Sequence, residues 1–334
     1  MGRTFLPLIG QMSSGPAAAR AVFRFCFFPL LLISACGRIS AQDLSPRAYV
    51  ITPVGTNVVN LTYSYSSGSL EFDGAVPISG ATATIHTPIF SYYHTLNFFG
   101  RTASFTAGVP YGVGNFNGIV MQAPKYAYRS GLLDSFYRFS VNLIGGSAMH
   151  QQDFAKWRQK VLLGASLKVV APTGQYDSRR LINWGNNRWA FKPELGYSQR
   201  WGHWVLDGYA AAWFFTTNQE FFSFNSYFPG LQTQYESPVV AFEGHLSYDV
   251  RPRLWISLDA NFWHGGESNL NGVPNMLTIQ KSSRVGVTAS FPLTRHQSLK
   301  VSFNDGAYIN YGGNYKNVAI GWQYAWAGWP SHTH

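Results

Sequence analysis

From residue 158 to residue 215 this chain alternates between two kinds of residue with a period of two. On one register lie Arg158, Lys160, Leu162, Gly164, Ser166, Lys168 and Val170; interleaved with them are Val161, Leu163, Ala165, Leu167, Val169 and Ala171, all apolar. Side chains on a strand point alternately to opposite faces, so one face here is greasy and the other carries charge and small polar groups. The split recurs from Arg188, with Lys192 and Glu194 set against Trp189, Phe191 and Leu195. It returns after a WGH turn, with Asp207 and Tyr209 on one face and Leu206, Gly208, Ala210, Ala212 and Phe214 on the other.

A soluble antiparallel sheet can alternate too, but three features point to a membrane. These strands read as about 11–14 residues long, whereas strands in soluble sheets usually have ~5–6 and a tilted membrane strand needs ~9–11. The apolar faces end in aromatics (Trp189, Tyr197, Trp204, Phe214), as at a membrane interface. Short and long connections also alternate. Only 12% of the 334 residues are charged and 16% are aromatic, yet the body of the chain has no uninterrupted apolar run long enough for a helical span.

The pattern therefore predicts an all-β fold, a transmembrane antiparallel up-and-down β-barrel of about twelve strands. The expected strands cover residues 57–67, 82–98, 101–109, 132–143, 158–171, 188–198, 204–215, 236–249, 254–264, 281–291, 298–307 and 315–326. Pro88 predicts a bulge or an interruption in the second. Residues 110–130 read as a long Gly- and Tyr-rich connection, residues 145–157 as a short helical turn, and residues 44–56 as a Pro-bearing lead-in. With both ends in the periplasm, the short turns are periplasmic and the long loops extracellular.

Residues 1–41 read as an export signal: Arg3, Arg20 and Arg24 are basic, FCFFPLLLI at 25–33 is the apolar core, and Ile39-Ser40-Ala41 is a cleavage site. Residues 42–334 are expected to form a single barrel domain. ISAC at 33–36 resembles a lipoprotein lipobox, which leaves lipidation of Cys36 as an alternative. Both cysteines, Cys26 and Cys36, precede residue 42, so the exported chain has no disulfide framework or thiolate metal site. Removal of the signal takes away four arginines and no acid, lowering the formal net charge from +10 to +6. The remaining bases are scattered, and nucleic-acid binding is not indicated.

The polar register carries Asp134, Arg138, Lys160, Lys168, Lys192, Glu194, Asp207, Glu243, Asp259, Arg284 and Lys300. Charge in hydrocarbon is costly, so these residues are expected to face the lumen. There they either set solute preference along a pore wall or brace a narrow barrel with ion pairs. Of the histidines, His264 ends a strand on the lipid-facing register and His245 sits inward beside Glu243. No spacing places a serine opposite either, no metal-ligand spacing occurs, and no cofactor or catalytic residue is expected. The aromatics Phe221, Phe222, Phe224, Tyr227 and Phe228 crowd one long loop. Near the C-terminus, Val318, Ile320, Trp322, Tyr324 and Trp326 form an outward apolar series similar to the terminal signal read by the outer-membrane assembly machinery.

Several runs resemble one family in particular. APTGQYD at 171–177, RLINWGNNRWAFKPELG at 180–196, PRAYVITPVGTN at 46–57, RFSVNLIG at 138–145 and GRTASFTAGVPY at 100–111 are similar to the bacterial family named for a MetA pathway of phenol degradation. The resemblance implies an outer-membrane barrel, in contact with outer-membrane lipid, that passes small, often aromatic compounds. It transfers no catalytic or binding residue. The leading expectation is thus a channel for passive uptake of such solutes. A plugged structural or adhesive barrel and a lipid-modifying enzyme are the alternatives, and oligomeric state is left open.

Overall fold

The computed structural model describes residues 45–71, 78–120, 122–226 and 228–328. The expected signal, the lipobox Cys36, the loop residue Tyr227 and the histidines of the C-terminal tail lie outside them. In chain order the elements are β1 (Thr56–Glu71), β2 (Ile78–Phe98), β3 (Arg101–Val120), β4 (Ala123–Leu132), β5 (Ser135–Ile144), α1 (Gln151–Lys156), β6 (Val161–Ala171), β7 (Ala190–Trp201) and β8 (Trp204–Phe215). They continue with β9 (Gln234–Glu236), β10 (Val239–Arg251), β11 (Leu254–Gly265), β12 (Ser268–Leu270), β13 (Val273–Asn275), β14 (Gln280–Pro292), β15 (Gln297–Tyr308) and β16 (Gly312–Ala327).

Every long strand pairs antiparallel with its neighbours, and β1 pairs with β16 from Thr56↔Ala327 to Glu71↔Gly312, which closes the sheet. Closure is what hydrocarbon demands, because an open edge would leave unpaired N–H and C=O groups with no water to satisfy them. The barrel has twelve strands. β4 and β5 act as one, since β3 pairs with β5 over Ala103–Gly108 and with β4 from Tyr111 upward. Their break falls at Leu133–Asp134, and the Leu133 amide donates across to the Pro110 carbonyl at 3.0 Å.

Here the structure departs from the sequence reading. Residues 110–130 are not a loose connection but a β3–β4 hairpin that carries the sheet beyond the membrane, and Asp134 falls off the strand that was expected to hold it. β2 is continuous through Pro88. The ladder between β2 and β3 merely skips a step there and resumes in the same register at Ile89↔Pro110, so there is an interruption without a bulge. A bulge does lie nearer the end of β2, between Ser79 and Thr82. The long loops also carry structure of their own, a small sheet in the order β13-β12-β9.

The short connections at residues 99–100, 202–203, 252–253 and 293–296 share one end of the barrel with residues 145–160, which contain α1, and with the start of β1 and the end of β16. This is the periplasmic end. Phe99 (φ 49°) and Gly100 (φ 78°) both take left-handed backbone, as a two-residue hairpin turn matched to strand twist requires. At the opposite, extracellular end the long loops cluster. Among the described residues no helix is long and apolar enough to cross a membrane; the spans are strands.

The parity of the sequence is the parity of the wall. Leu61, Phe90, Leu167, Leu195, Phe242, Leu258, Val287 and Ile320 point outward and are exposed, whereas Leu162, Ser198, Asp207, His245, Ser247 and Thr288 point inward and are buried. Trp201, Trp204, Tyr248, Trp322 and Tyr324 ring the periplasmic side and Trp189 and Phe214 the extracellular side, like the aromatic girdles of membrane barrels. Leu258 is 64% exposed and pairs with Leu246 and Val287 near the middle of the band. Leu258→Arg is therefore expected to destabilise the barrel by about 2–4 kcal/mol, read as a lower urea midpoint in reversible folding into phospholipid vesicles.

Candidate functional site: the barrel lumen

Strand register sets the interior, because neighbouring strands bring inward residues to one height. In β5–β8, β10, β11 and β14 these residues are ionic. Arg138 on β5 reaches Glu194 on β7 (Nη2 to Oε1, 3.2 Å) and donates to Ser166 on β6 at 3.2 Å. Lys192, two residues before Glu194 on the same face, bridges Glu194 at 2.8 Å and Glu243 on β10 at 2.9 Å. Glu243 faces His245 Nε2 at 3.6 Å, and His245 Nδ1 lies 2.8 Å from Asp259 on β11. Asp259 also accepts hydrogen bonds from Ser257 and, on β14, from Thr288, each at 2.6 Å. These groups are mostly buried, and each ion meets an opposite charge or a hydroxyl, the condition for tolerating charge away from bulk water. The facing wall is uncharged in its middle: Asn304 donates to Asn317, Asn317 donates to Ser64 and Ser66, and Asn60 donates to Ser91.

Toward the extracellular side the ionic belt gives way to aromatics. Trp213 on β8 and Trp263 on β11 point inward and are almost wholly buried with Val170, Val239 and Ala241, against Phe136 and Phe215. The Lys168 and Lys192 ammonium groups stand 5.8 and 5.7 Å from the Trp213 ring, a cation–π arrangement.

The other expected residues divide. Arg284 is buried on β14 and donates to Asn304 Oδ1 at 2.8 Å and to the Tyr315 carbonyl at 2.7 Å. Lys300 is half-buried on β15, opposite Ser290 and Gly321. Lys160 lies one residue before β6, exposed at the periplasmic rim. Asp134 sits at the mouth as a loop clasp, its carboxylate accepting from the Gly174 amide and from the Asn186 amide and side chain, all at 2.9 Å. That clasp accounts for the glycines of the APTGQYD and NWGNN runs: a Cβ at Gly174 would meet Gly185 Cα at 2.7 Å. The loop also seats Trp184 against Phe116, over Gly112 and Gly114 of β3. A buried Arg188–Glu236 pair ties the start of β7 to β9. Among solvent-facing loop residues, the hydrogen bond from Arg179 holds the Asp177 carboxyl below its ordinary range.

The lead-in segment is the feature sequence reasoning missed. Residues 45–54 do not trail in the periplasm; they cross the lumen from the start of β1 to the far wall. Thr52 bonds Thr95 at 2.6 Å on the near side. Tyr49, 2% exposed, donates to Glu194 Oε1 at 2.9 Å and lies 3.0 Å from Ser166 Oγ. The Arg47 amide donates to Asp207 at 3.1 Å, and its guanidinium pairs with Asp249 at 2.7 Å while stacking on Trp255.

Residues 73–305, more than two thirds of the chain, match the family described as "Putative MetA-pathway of phenol degradation". The chain belongs to that family. No curated protein matches the sequence. Among solved structures the fold is similar to an outer membrane channel from Pseudomonas putida F1, at 17% identity with a TM-score of 0.68, over 85% of this chain and 100% of the other. A looser likeness, TM-score 0.48 at 13% identity, links it to the transport unit of the autotransporter AIDA-I from Escherichia coli, over 86% of this chain and 94% of that one. The architecture of this phenol-degradation family member is that of a Gram-negative outer-membrane barrel, and the cell outer membrane is where its apolar outer band belongs.

Two features of this family member's sequence bear on the lumen-crossing segment, though neither shows that it turns inward. PRAYVITPVGTN was among the runs carrying the family resemblance, and Gly164 and Gly196 stood on the inward register, where the wall is hollowed to receive Tyr49. The inward parity of Trp213 and Trp263 was equally readable from the strands that carry them. Removing one member of the belt should expose its dependence on pairing. Lys192→Met leaves Glu194 and Glu243 facing each other and is expected to cost about 3–5 kcal/mol, measured by urea unfolding in vesicles, while Lys160→Met at the exposed rim leaves the midpoint in place.

Proposed function

We propose that this protein is an outer-membrane channel for passive inward diffusion of small, hydrophobic or aromatic molecules. The observation that carries the reading is the lumen's two-part lining: an aromatic cluster of Phe136, Trp213, Phe215 and Trp263 on the extracellular side, followed by the ionic belt. An aromatic solute entering from outside meets the partly exposed rings of Phe136 and Phe215 first, with Trp213 and Trp263 packed behind them, and polar side chains next. Such a surface holds a solute weakly at several points and so favours passage. The family's name and the fold's likeness to an outer membrane channel support the same reading. On it Arg138, Lys168, Lys192, Glu194, Asp207, Glu243, Asp259, Arg284 and Lys300 line the path, Asp134 orders its mouth, and Lys160 marks its exit.

The outward apolar band makes membrane lipid the partner of the outer face, and the series ending at Trp326 is the natural contact for the assembly machinery. An enzymatic role fits poorly. The two ring nitrogens of His245 face Asp259 and Glu243, which leaves none to activate a hydroxyl nucleophile. The crossing segment at residues 45–54 favours one second reading, a permanently plugged structural barrel.

Uptake by proteoliposomes separates the two. With 4-hydroxybenzenesulfonate, an aromatic solute that crosses lipid slowly, flux above empty liposomes and above that of glucose is expected. Absence of flux for both solutes, in the wild type and in an Arg47→Ala/Tyr49→Ala variant, would leave the plugged reading in place.

A further inference from the structure

The ring of Tyr49 does not rest on a flat wall. Gly164 on β6 and Gly196 on β7 face each other in register, both pointing inward. A Cβ at Gly164 would lie 2.2 Å from Tyr49 Cδ1, and one at Gly196 would lie 2.0 Å from Tyr49 Cε2. The two glycines thus leave a hollow in the barrel wall that none of their own strands' side chains fills, and the Tyr49 ring occupies it. The Arg138 guanidinium stands over the ring at 4.9 Å, and Tyr209 meets it edge-on at 5.4 Å. At the bottom of the hollow Glu194 accepts the phenol hydrogen and Ser166 bonds the same oxygen. Each requirement of a phenol is met there: ring faces, a cation over the π-system and hydrogen-bonding partners for a hydroxyl.

We propose that this hollow is a binding site for neutral para-alkylphenols, and that Tyr49 is a tethered ligand which occupies it until a solute competes. The proposal deepens the channel reading and rests on it for its biological sense. Para substitution follows from Tyr49 itself, whose main chain leaves the ring opposite the hydroxyl, in the segment that crosses the lumen. The neutral form follows from Glu194, which accepts a hydrogen bond from a phenol and repels a phenolate. The tether is held apart from the hollow: Arg47 is fixed to Asp207 and Asp249, and the Ala48 amide donates to the Tyr209 hydroxyl at 3.0 Å. A solute that takes the ring's place therefore frees Tyr49 while the remaining contacts determine whether the segment stays across the lumen.

The test is binding of 4-methylphenol to the refolded full-length barrel, followed by equilibrium dialysis against protein-free micelles of the same detergent. A segment docked about nine-tenths of the time lowers apparent affinity about tenfold, so Tyr49→Ala is expected to bind at least about tenfold more tightly than wild type. Arg47→Ala, which loosens the tether without touching the hollow, should shift affinity in the same direction. Gly196→Val in the Tyr49→Ala background should abolish the gain, and 4-methylcyclohexanol, which lacks the π-face, should bind far more weakly. Equal affinity in wild type and Tyr49→Ala, or a Gly196→Val/Tyr49→Ala variant that binds as well as Tyr49→Ala, overturns the proposal. Heat-modifiable electrophoretic mobility verifies that each variant is folded. Since dialysis needs no transport, a barrel that binds 4-methylphenol but passes no solute loses only the channel reading; one that passes aromatics without this pattern loses only the hollow.

Discussion

Glu194 is the ion on which the lumen's arrangement depends. It sits well inside the barrel wall, 8% exposed, and is held by Lys192, Arg138 and the Tyr49 hydroxyl at once. A carboxylate so far from bulk water persists only if its surroundings supply what water would. Those surroundings draw on β5, β7 and the segment that crosses the lumen. Lys192 then passes the requirement on to Glu243, and Glu243 and His245 pass it to Asp259, so the local need of one carboxylate becomes a belt that links the walls.

The division of labour around the barrel follows from this. One arc of wall carries the ions and receives the N-terminal segment; the opposing arc, built around Asn60, Ser64, Asn304 and Asn317, carries amides and hydroxyls that satisfy one another. The extracellular loops are tied to the wall by similar means. Asp134 gathers the backbone of Gly174 and Asn186, and the buried Arg188–Glu236 pair joins β7 to β9. Fixed geometry at the mouth thus comes from a few carboxylates placed where strands end, with glycines allowing the backbones to approach.

Much of the wall was legible in the sequence because lipid imposes a strict period. A residue such as Leu258 or Lys192 can be assigned to a face by counting, since a one-residue slip would put every charge into hydrocarbon. The limits of β3 and the place of Asp134 were not legible. Beyond the membrane the period is no longer enforced, and Gly112 and Gly114 look like loop residues until Trp184 is seen packed on them. The inward turn of residues 45–54 was hidden for a different reason. Its partners lie far off in sequence, and no local pattern distinguishes a tyrosine in a periplasmic lead-in from one that docks on a distant strand.

That distance has a consequence for how the chain is assembled. Arg47, Ala48 and Tyr49 find their partners 145–161 residues later, at Glu194, Asp207 and Tyr209, and Arg47 waits further still for Asp249. A chain delivered from its N-terminus presents this stretch before any of the surface it fits exists. A stretch that precedes the first strand can thus settle only after strands far along the chain are in place, and it is this stretch that completes the barrel's interior.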